Sequence, residues 1–131
     1  MRLLLLFLFS AAFTTPSLAS GGKSSSDPYL SLDPPIVVNL QGARKHFMQV
    51  EIEAMSRDGA ALKALEMHNG PLRHALIMRL SAQTVEGMND VQIREQVRLQ
   101  ILEDLRDILE QMAGFRREAL EAVYFTSLVI Q

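Results

Sequence analysis

The ten residues Ala122-Val123-Tyr124-Phe125-Thr126-Ser127-Leu128-Val129-Ile130-Gln131 constrain this chain more than any other stretch. A run so dense in β-branched and aromatic side chains predicts a strand, because such side chains pack well on a pleated surface. It closes the sequence, so the expectation is a domain organised by its sheet and not by a catalytic loop beyond it. Strict alternation puts Val123, Phe125, Ser127 and Val129 on one face and Tyr124, Thr126, Leu128 and Ile130 on the other. Both faces are largely apolar. That predicts cover on both sides, helices on one and a second body, such as another copy of the chain, on the other.

The opposite end predicts an address. Met1-Arg2 is a short positive start, Leu3 to Phe13 is apolar apart from Ser10, and Ser17-Leu18-Ala19 has the small-x-small form of a signal-peptidase site. Residues 1–19 therefore read as a secretory signal peptide, cut between Ala19 and Ser20. As a helix, Leu3–Phe13 spans about 17 Å, well short of the roughly 30 Å of bilayer hydrocarbon. Thr14-Thr15-Pro16 interrupts any extension, so a cleaved signal fits better than an uncleaved anchor. The chain has no cysteine, which removes both a lipoprotein anchor and disulfides and leaves the exported domain to its core alone.

Ser20-Gly21-Gly22-Lys23-Ser24-Ser25-Ser26-Asp27-Pro28 reads as a flexible linker, and residues 29–131 as one modest domain. The formal charge is −2, and loss of Arg2 with the signal makes the mature chain more acidic still. That balance argues against nucleic acid and against anionic lipid as electrostatic partners.

Within the domain, Leu30 and Leu32 begin an alternation that passes the Pro34-Pro35 pair and gives a first strand at about Ile36–Leu40. Gln41 to Lys45 is a turn. His46–Ser56 is the clearest strand, with Met48, Val50, Ile52 and Ala54 on one face and Gln49, Glu51 and Glu53 on the other, so the two runs predict an antiparallel hairpin with one wet face. Asp58 is a candidate N-cap for a helix over Gly59–His68, with Asn69-Gly70 as its stop. Pro71 opens a second helix reaching about Gln83. Thr84 to Asn89 reads as a break. Asn89 or Asp90 caps the longest helix, about Val91–Ala113, whose stripe is Ile93, Val97, Ile101, Leu105, Ile108 and Met112, widened by Leu102 and Leu109. Its outward side carries Arg94, Glu95, Arg98, Glu103, Arg106 and Glu110, with Arg106 and Glu110 spaced to pair. Gly114 ends it. The expected fold class is α+β, a sandwich-like β-β-α-α-α-β domain of one hairpin, three helices and a C-terminal strand.

Four segments in that order, Tyr29-Leu30-Ser31-Leu32-Asp33-Pro34-Pro35-Ile36-Val37-Val38-Asn39-Leu40, Gly70-Pro71-Leu72-Arg73, Leu80-Ser81-Ala82-Gln83-Thr84 and Val123 to Gln131, resemble the FliL family of flagellar basal-body-associated proteins. The resemblance covers about Tyr29 to Gln131. It implies a periplasmic domain related to the stomatin-type SPFH fold, self-assembly into a homo-oligomeric ring, and association with the stator units of the flagellar motor at the inner membrane. Family members carry a charged cytoplasmic segment and a full transmembrane helix before the linker. This chain has only Leu3–Phe13 there, which marks a short, signal-peptide-bearing member.

No catalytic chemistry is legible. There is no thiol nucleophile, no G-x-S-x-G and no phosphate-cradling glycine motif, and serines cluster in the linker. No cofactor is expected. His46, His68 and His74 are candidate metal ligands, but Asn69-Gly70-Pro71 breaks helical spacing between the last two and His46 starts a different strand, so capping or solvated histidines fit better. Asp33 and Asn39, near an edge strand, can bind a cation or a partner backbone, or serve local turn hydrogen bonds. Arg73 is either a solvent-facing helix residue or, as the resemblance allows, a contact to a carboxylate of a neighbouring subunit. Met48, Met55, Met67, Met78, Met88 and Met112 read as gap-filling core, and Glu103-Asp104 with Asp107 as a solvated face. Two functions stay open: a non-enzymatic flagellar accessory that supports stators, rotation, swimming and chemotaxis, or an exported binding module of the same fold with no flagellar role.

Overall fold

A computed structural model describes residues 27–131; the expected signal peptide 1–19, its Ala19/Ser20 cleavage site and linker residues 20–26 lie outside them. At the linker's end, the Pro28 carbonyl accepts the Ser56 N–H at 2.9 Å, so the tether is already tied to the sheet there. The element order is β1 (Tyr29–Ser31), β2 (Ile36–Asn39), β3 (Phe47–Met55), α1 (Gly59–Met67), α2 (Asn69–Ser81), α3 (Val85–Asn89), α4 (Val91–Ala113), a 3₁₀ turn (Arg117–Ala119) and β4 (Ala122–Ile130). The result is mixed α and β, with a four-stranded antiparallel sheet among the described residues. No described helix is long and apolar enough to cross a membrane.

The strict alternation of β3 determines the architecture. Met48, Val50, Ile52 and Ala54 are buried, while Phe47, Gln49 and Glu51 face outward. β2 lies antiparallel to its first half, Ile36 opposite Val50 and Val38 opposite Met48, as the hairpin pattern predicts. β1 continues the same edge against the second half, Leu30 opposite Ala54. β4 takes the whole of the other edge, from Met48–Ile130 to Met55–Ala122. The helices cover the buried face, and Leu65, Leu72, Leu76, Leu80, Ile101 and Leu105 are sealed against it.

Local signals set the helix ends. The Asp58 carboxylate accepts from Ala60 N–H at 3.0 Å, and that of Asp90 from Gln92 and Ile93 N–H at 2.8 and 3.0 Å. Gly114, at φ 70°, terminates α4 in a conformation that side chains disfavour. Other boundaries depart from expectation. Asn69-Gly70 is not a stop: both residues belong to the first turn of α2, where Pro71 lacks only an N–H that has no helical partner anyway. Thr84–Asn89 is not a break but holds α3, started by the Thr84 hydroxyl accepting from Gly87 N–H at 3.0 Å, so the described residues form four α-helices instead of three. On α4, Leu102 and Leu109 are buried while Ile93 and Met112 are 40% and 50% exposed, because the sheet covers the helix's middle and not its ends. Of the methionines, Met48 and Met88 are core, whereas Met67, Met78 and Met112 are exposed.

On β4 the faces are not those that unbroken alternation gives. Between Glu51 and Ile52 the register slips, so that Thr126 is the extra residue of a bulge. The core face is therefore Val123, Phe125, Leu128 and Ile130, opposite Ala54, Ile52, Val50 and Met48, and Val129 is 46% exposed on the other side. Only Val123 is fully buried. The bulge yields a direct test by thermal or urea unfolding: Leu128→Asp should cost about 1–3 kcal/mol, and Val129→Asp less than about 1 kcal/mol, the reverse of what unbroken alternation from Val123 demands.

Candidate functional site

Among the described residues, the four strands and the single helical layer leave one broad surface without cover, the outer face of the sheet. Its floor is polar and acidic, with Gln49, Glu51 and Glu53 of β3 in a row. Apolar side chains stand on both flanks: Val37 is 59% exposed on β2, Phe47 52% on β3 and Tyr124 43% on β4. Tyr124 packs against Tyr29 of β1 across the Glu53 position, ring centroids 6.5 Å apart and tilted by 48°. At the end where β2, β3 and β4 meet, Val37, Phe47, Gln49, Val129 and Gln131 enclose a hollow of about 270 Å³. Apolar and amide side chains around an acidic strip suit a protein partner, since they combine desolvation with directional hydrogen bonds.

A larger cleft of about 420 Å³ between α2 and α4 is floored by a two-bond ion pair, Arg79 Nε and Nη2 donating to Asp104 at 2.9 and 2.8 Å. That pairing raises the Arg79 pKa and engages both of the charges on the cleft floor with each other. On the outward side of α4, Arg106 bonds Glu103 at 2.8 Å and not Glu110, which is taken by Arg117 at 3.0 Å. Arg117, from the 3₁₀ turn, also reaches Asp107 and Glu103. Arg98 and Arg106 are less outward than their helical position suggests, for they donate to the Val123 carbonyl at 2.8 Å and the Leu120 carbonyl at 3.0 Å.

The three residues singled out from sequence are dispersed. Half-buried Arg73 is turned into its own chain, donating to the Pro34 carbonyl at 2.7 Å and the Pro35 carbonyl at 3.5 Å. It braces the corner between β1 and β2, where the Asp33–Pro34 bond is cis. Exposed Asp33 stands at that corner, and exposed Asn39 at the far end of β2 opposite Phe47. The structure therefore does not join Asp33 and Asn39 in one site. His46, His68 and His74 fall before β3, between α1 and α2, and within α2. Sequence reasoning passed over Val37 and Phe47, although alternation already puts both on the face of Gln49 and Glu51, and apolar residues at wet positions are a contact signal. It also passed over Ser56, buried beyond β3, whose hydroxyl accepts from Asp58 N–H at 2.9 Å and donates to the Ala119 carbonyl.

The described residues make a two-layer α+β domain whose outer sheet face is bare and flanked by apolar side chains. The model of the family "Flagellar basal body-associated protein FliL" matches residues 29–131, which is every strand and helix described above. The chain belongs to the FliL family. It is 30% identical over 101 residues to "Flagellar protein FliL" of Aquifex aeolicus (strain VF5), a match covering 76% of this chain and 59% of that relative. The chain thus spans about three fifths of the length of the curated relative it matches.

Two expectations follow from the charged contacts. Arg73→Ala should cost about 1 kcal/mol in urea unfolding through loss of its carbonyl bonds, and Arg73→Lys should recover only part of it, since a single ammonium nitrogen lacks the planar fork whose two nitrogens reach the two carbonyls. Glu103 has its pKa lowered by hydrogen bonds from Arg117 and Arg106. A depressed carboxylate stabilises the fold above its unfolded value, near 4.5, and loses that contribution as pH falls through the lower folded value. Arg117→Met should therefore flatten the loss of urea midpoint between about pH 5 and about pH 3.

Proposed function

We propose that the protein is a non-enzymatic accessory of the flagellar basal body that associates with motor stator units and supports rotation, swimming and chemotaxis. The observation that carries this reading is the family match over the whole described domain. In the reading, residues 1–19 direct export and are cut between Ala19 and Ser20, residues 20–28 tether the domain beside the inner membrane, and residues 29–131 work in the periplasm. Contact, not chemistry, is the mechanism. The outer sheet face meets a protein surface, with Phe47 and Val37 supplying apolar area and the acidic strip setting orientation. Copies associate into a ring, as the stomatin-type SPFH relationship implies, by a repeated heterologous contact in which the Arg73-braced corner presents Asp33 and the end of β2 presents Asn39.

A deletion strain should swim more slowly in viscous medium, where load on the motor is high, with an unchanged number of filaments. Phe47→Asp combined with Val37→Lys should reproduce that phenotype in a protein that accumulates normally, because both side chains are exposed and neither supports the core. Normal swimming of a confirmed deletion rejects the flagellar reading in favour of an exported binding module outside the flagellum. Normal swimming of the double variant alone rejects the outer face as the working surface.

A further inference from the structure

The two edges of the sheet are finished differently. On the β1–β2 edge, Arg73 occupies the Pro34 and Pro35 carbonyls, and Gln41 N–H is taken by the Gln83 carbonyl at 2.8 Å. On the other edge, Arg98 guards the start of β4 by bonding the Val123 carbonyl, and among the described residues no side chain bonds the β4 backbone beyond it. Phe47 and Gln131 exchange both backbone bonds, at 2.9 and 2.8 Å. In an antiparallel ladder the bonded pairs alternate, so Val129 and Ser127 also point toward β3 while Ile130 and Leu128 turn their N–H and C=O away. Beyond the bulge, the Arg98 bond shows Val123 pointing outward, and with it Phe125. Phe125, Leu128 and Ile130 thus form an open ladder on a nine-residue strand with no proline and no charged side chain. Those are the devices by which sheets normally blunt an edge.

We infer that the β4 edge from Phe125 to Ile130 is a strand-addition site, which takes an extended segment of another protein that alternates apolar residues with lysine or arginine. Outward N–H and C=O groups at Phe125, Leu128 and Ile130 are matched by an extended backbone and by little else. The core-side row of the incoming strand covers Phe125, Leu128 and Ile130, all of which are only partly buried at present. Its outer row lies two strand spacings, about 10 Å, from β3, a gap that a lysine or arginine and a glutamate close together. Glu51 and Glu53 stand there, opposite Ser127 and Tyr124. A second copy's β4 carries no basic residue to meet them, which favours a basic partner over self-pairing. The inference stands on the sheet alone and is independent of the flagellar reading.

Amide hydrogen exchange on the ¹⁵N-labelled full chain tests it. The probe is a nine-residue peptide, the length of β4, alternating valine with lysine. At about ten times its dissociation constant it should slow exchange at Phe125, Leu128 and Ile130 by about tenfold, since only the unbound fraction exchanges there. The same peptide N-methylated on alternate residues keeps its side chains but cannot complete the ladder, and should leave those amides unprotected. Leu128→Pro, which removes an outward N–H while sparing the bonds to β3, should abolish binding. Unchanged exchange with the valine–lysine peptide, or equal binding of the N-methylated form, overturns strand addition. Equal binding of a valine–glutamate peptide overturns the basic partner, and protection that rises with protein concentration alone overturns it in favour of β4 self-pairing.

Discussion

Each of the other three strands in the described sheet is hydrogen-bonded to β3. β1 and β2 divide one of its edges between them and β4 takes the other, so both rows of β3 backbone groups are committed and one face of its side chains is committed to the core. This places a strong condition on nine residues. They must be long enough to serve two partners end to end on one side, apolar at every second position, and free of proline throughout. Once they meet it, the helices have one available location, the face carrying Met48, Val50, Ile52 and Ala54, and a single helical layer follows.

Arginine ties that layer to the sheet margin. Arg98 and Arg106 rise from the side of α4 to carbonyls at Val123 and Leu120, and Arg73 reaches from α2 to the proline corner. A guanidinium suits this role because its several donors in a fixed plane satisfy carbonyls that have no strand to pair with, while its charge stays near solvent. Exposed ion pairs such as Arg57 with Glu121 contribute little by comparison. Where the arginines end, the β4 edge is open, so the guarding of the margin and its availability come from one arrangement.

Among the described residues the outer sheet face of the domain is bare, the cleft between α2 and α4 is floored by an ion pair, and the serine most sheltered from water, Ser56, has its hydroxyl engaged with Asp58 and Ala119. The chain belongs to a flagellar basal-body-associated family, and the exposed sheet face is the broadest apolar-flanked surface among its described residues. The acidic strip between apolar flanks and the open ladder beside it are adjacent, which lets one partner use both without distorting the core.

Much of this fold was legible in the sequence because the signals are local. The alternation of β3, the Asp58 cap, Gly114 and the bounds of α4 depend on residues within a turn or two of one another and were read correctly, while of the two caps offered for α4, Asn89 and Asp90, the structure uses Asp90. Belonging to the FliL family was also legible, from segments spread over the whole domain. The three residues of β1 and the five of α3 were not, because elements so short have no period of their own and exist through pairing or capping. Nor was the direction of Arg73, whose partners lie 38 and 39 residues away. For β4 the sequence determined a strand and its apolar content, while which side faces the core was decided by one extra residue, Thr126, opposite Glu51. No pattern of period two can reveal that shift, because a bulge is a relation between two strands and becomes visible only once β3 and β4 lie side by side.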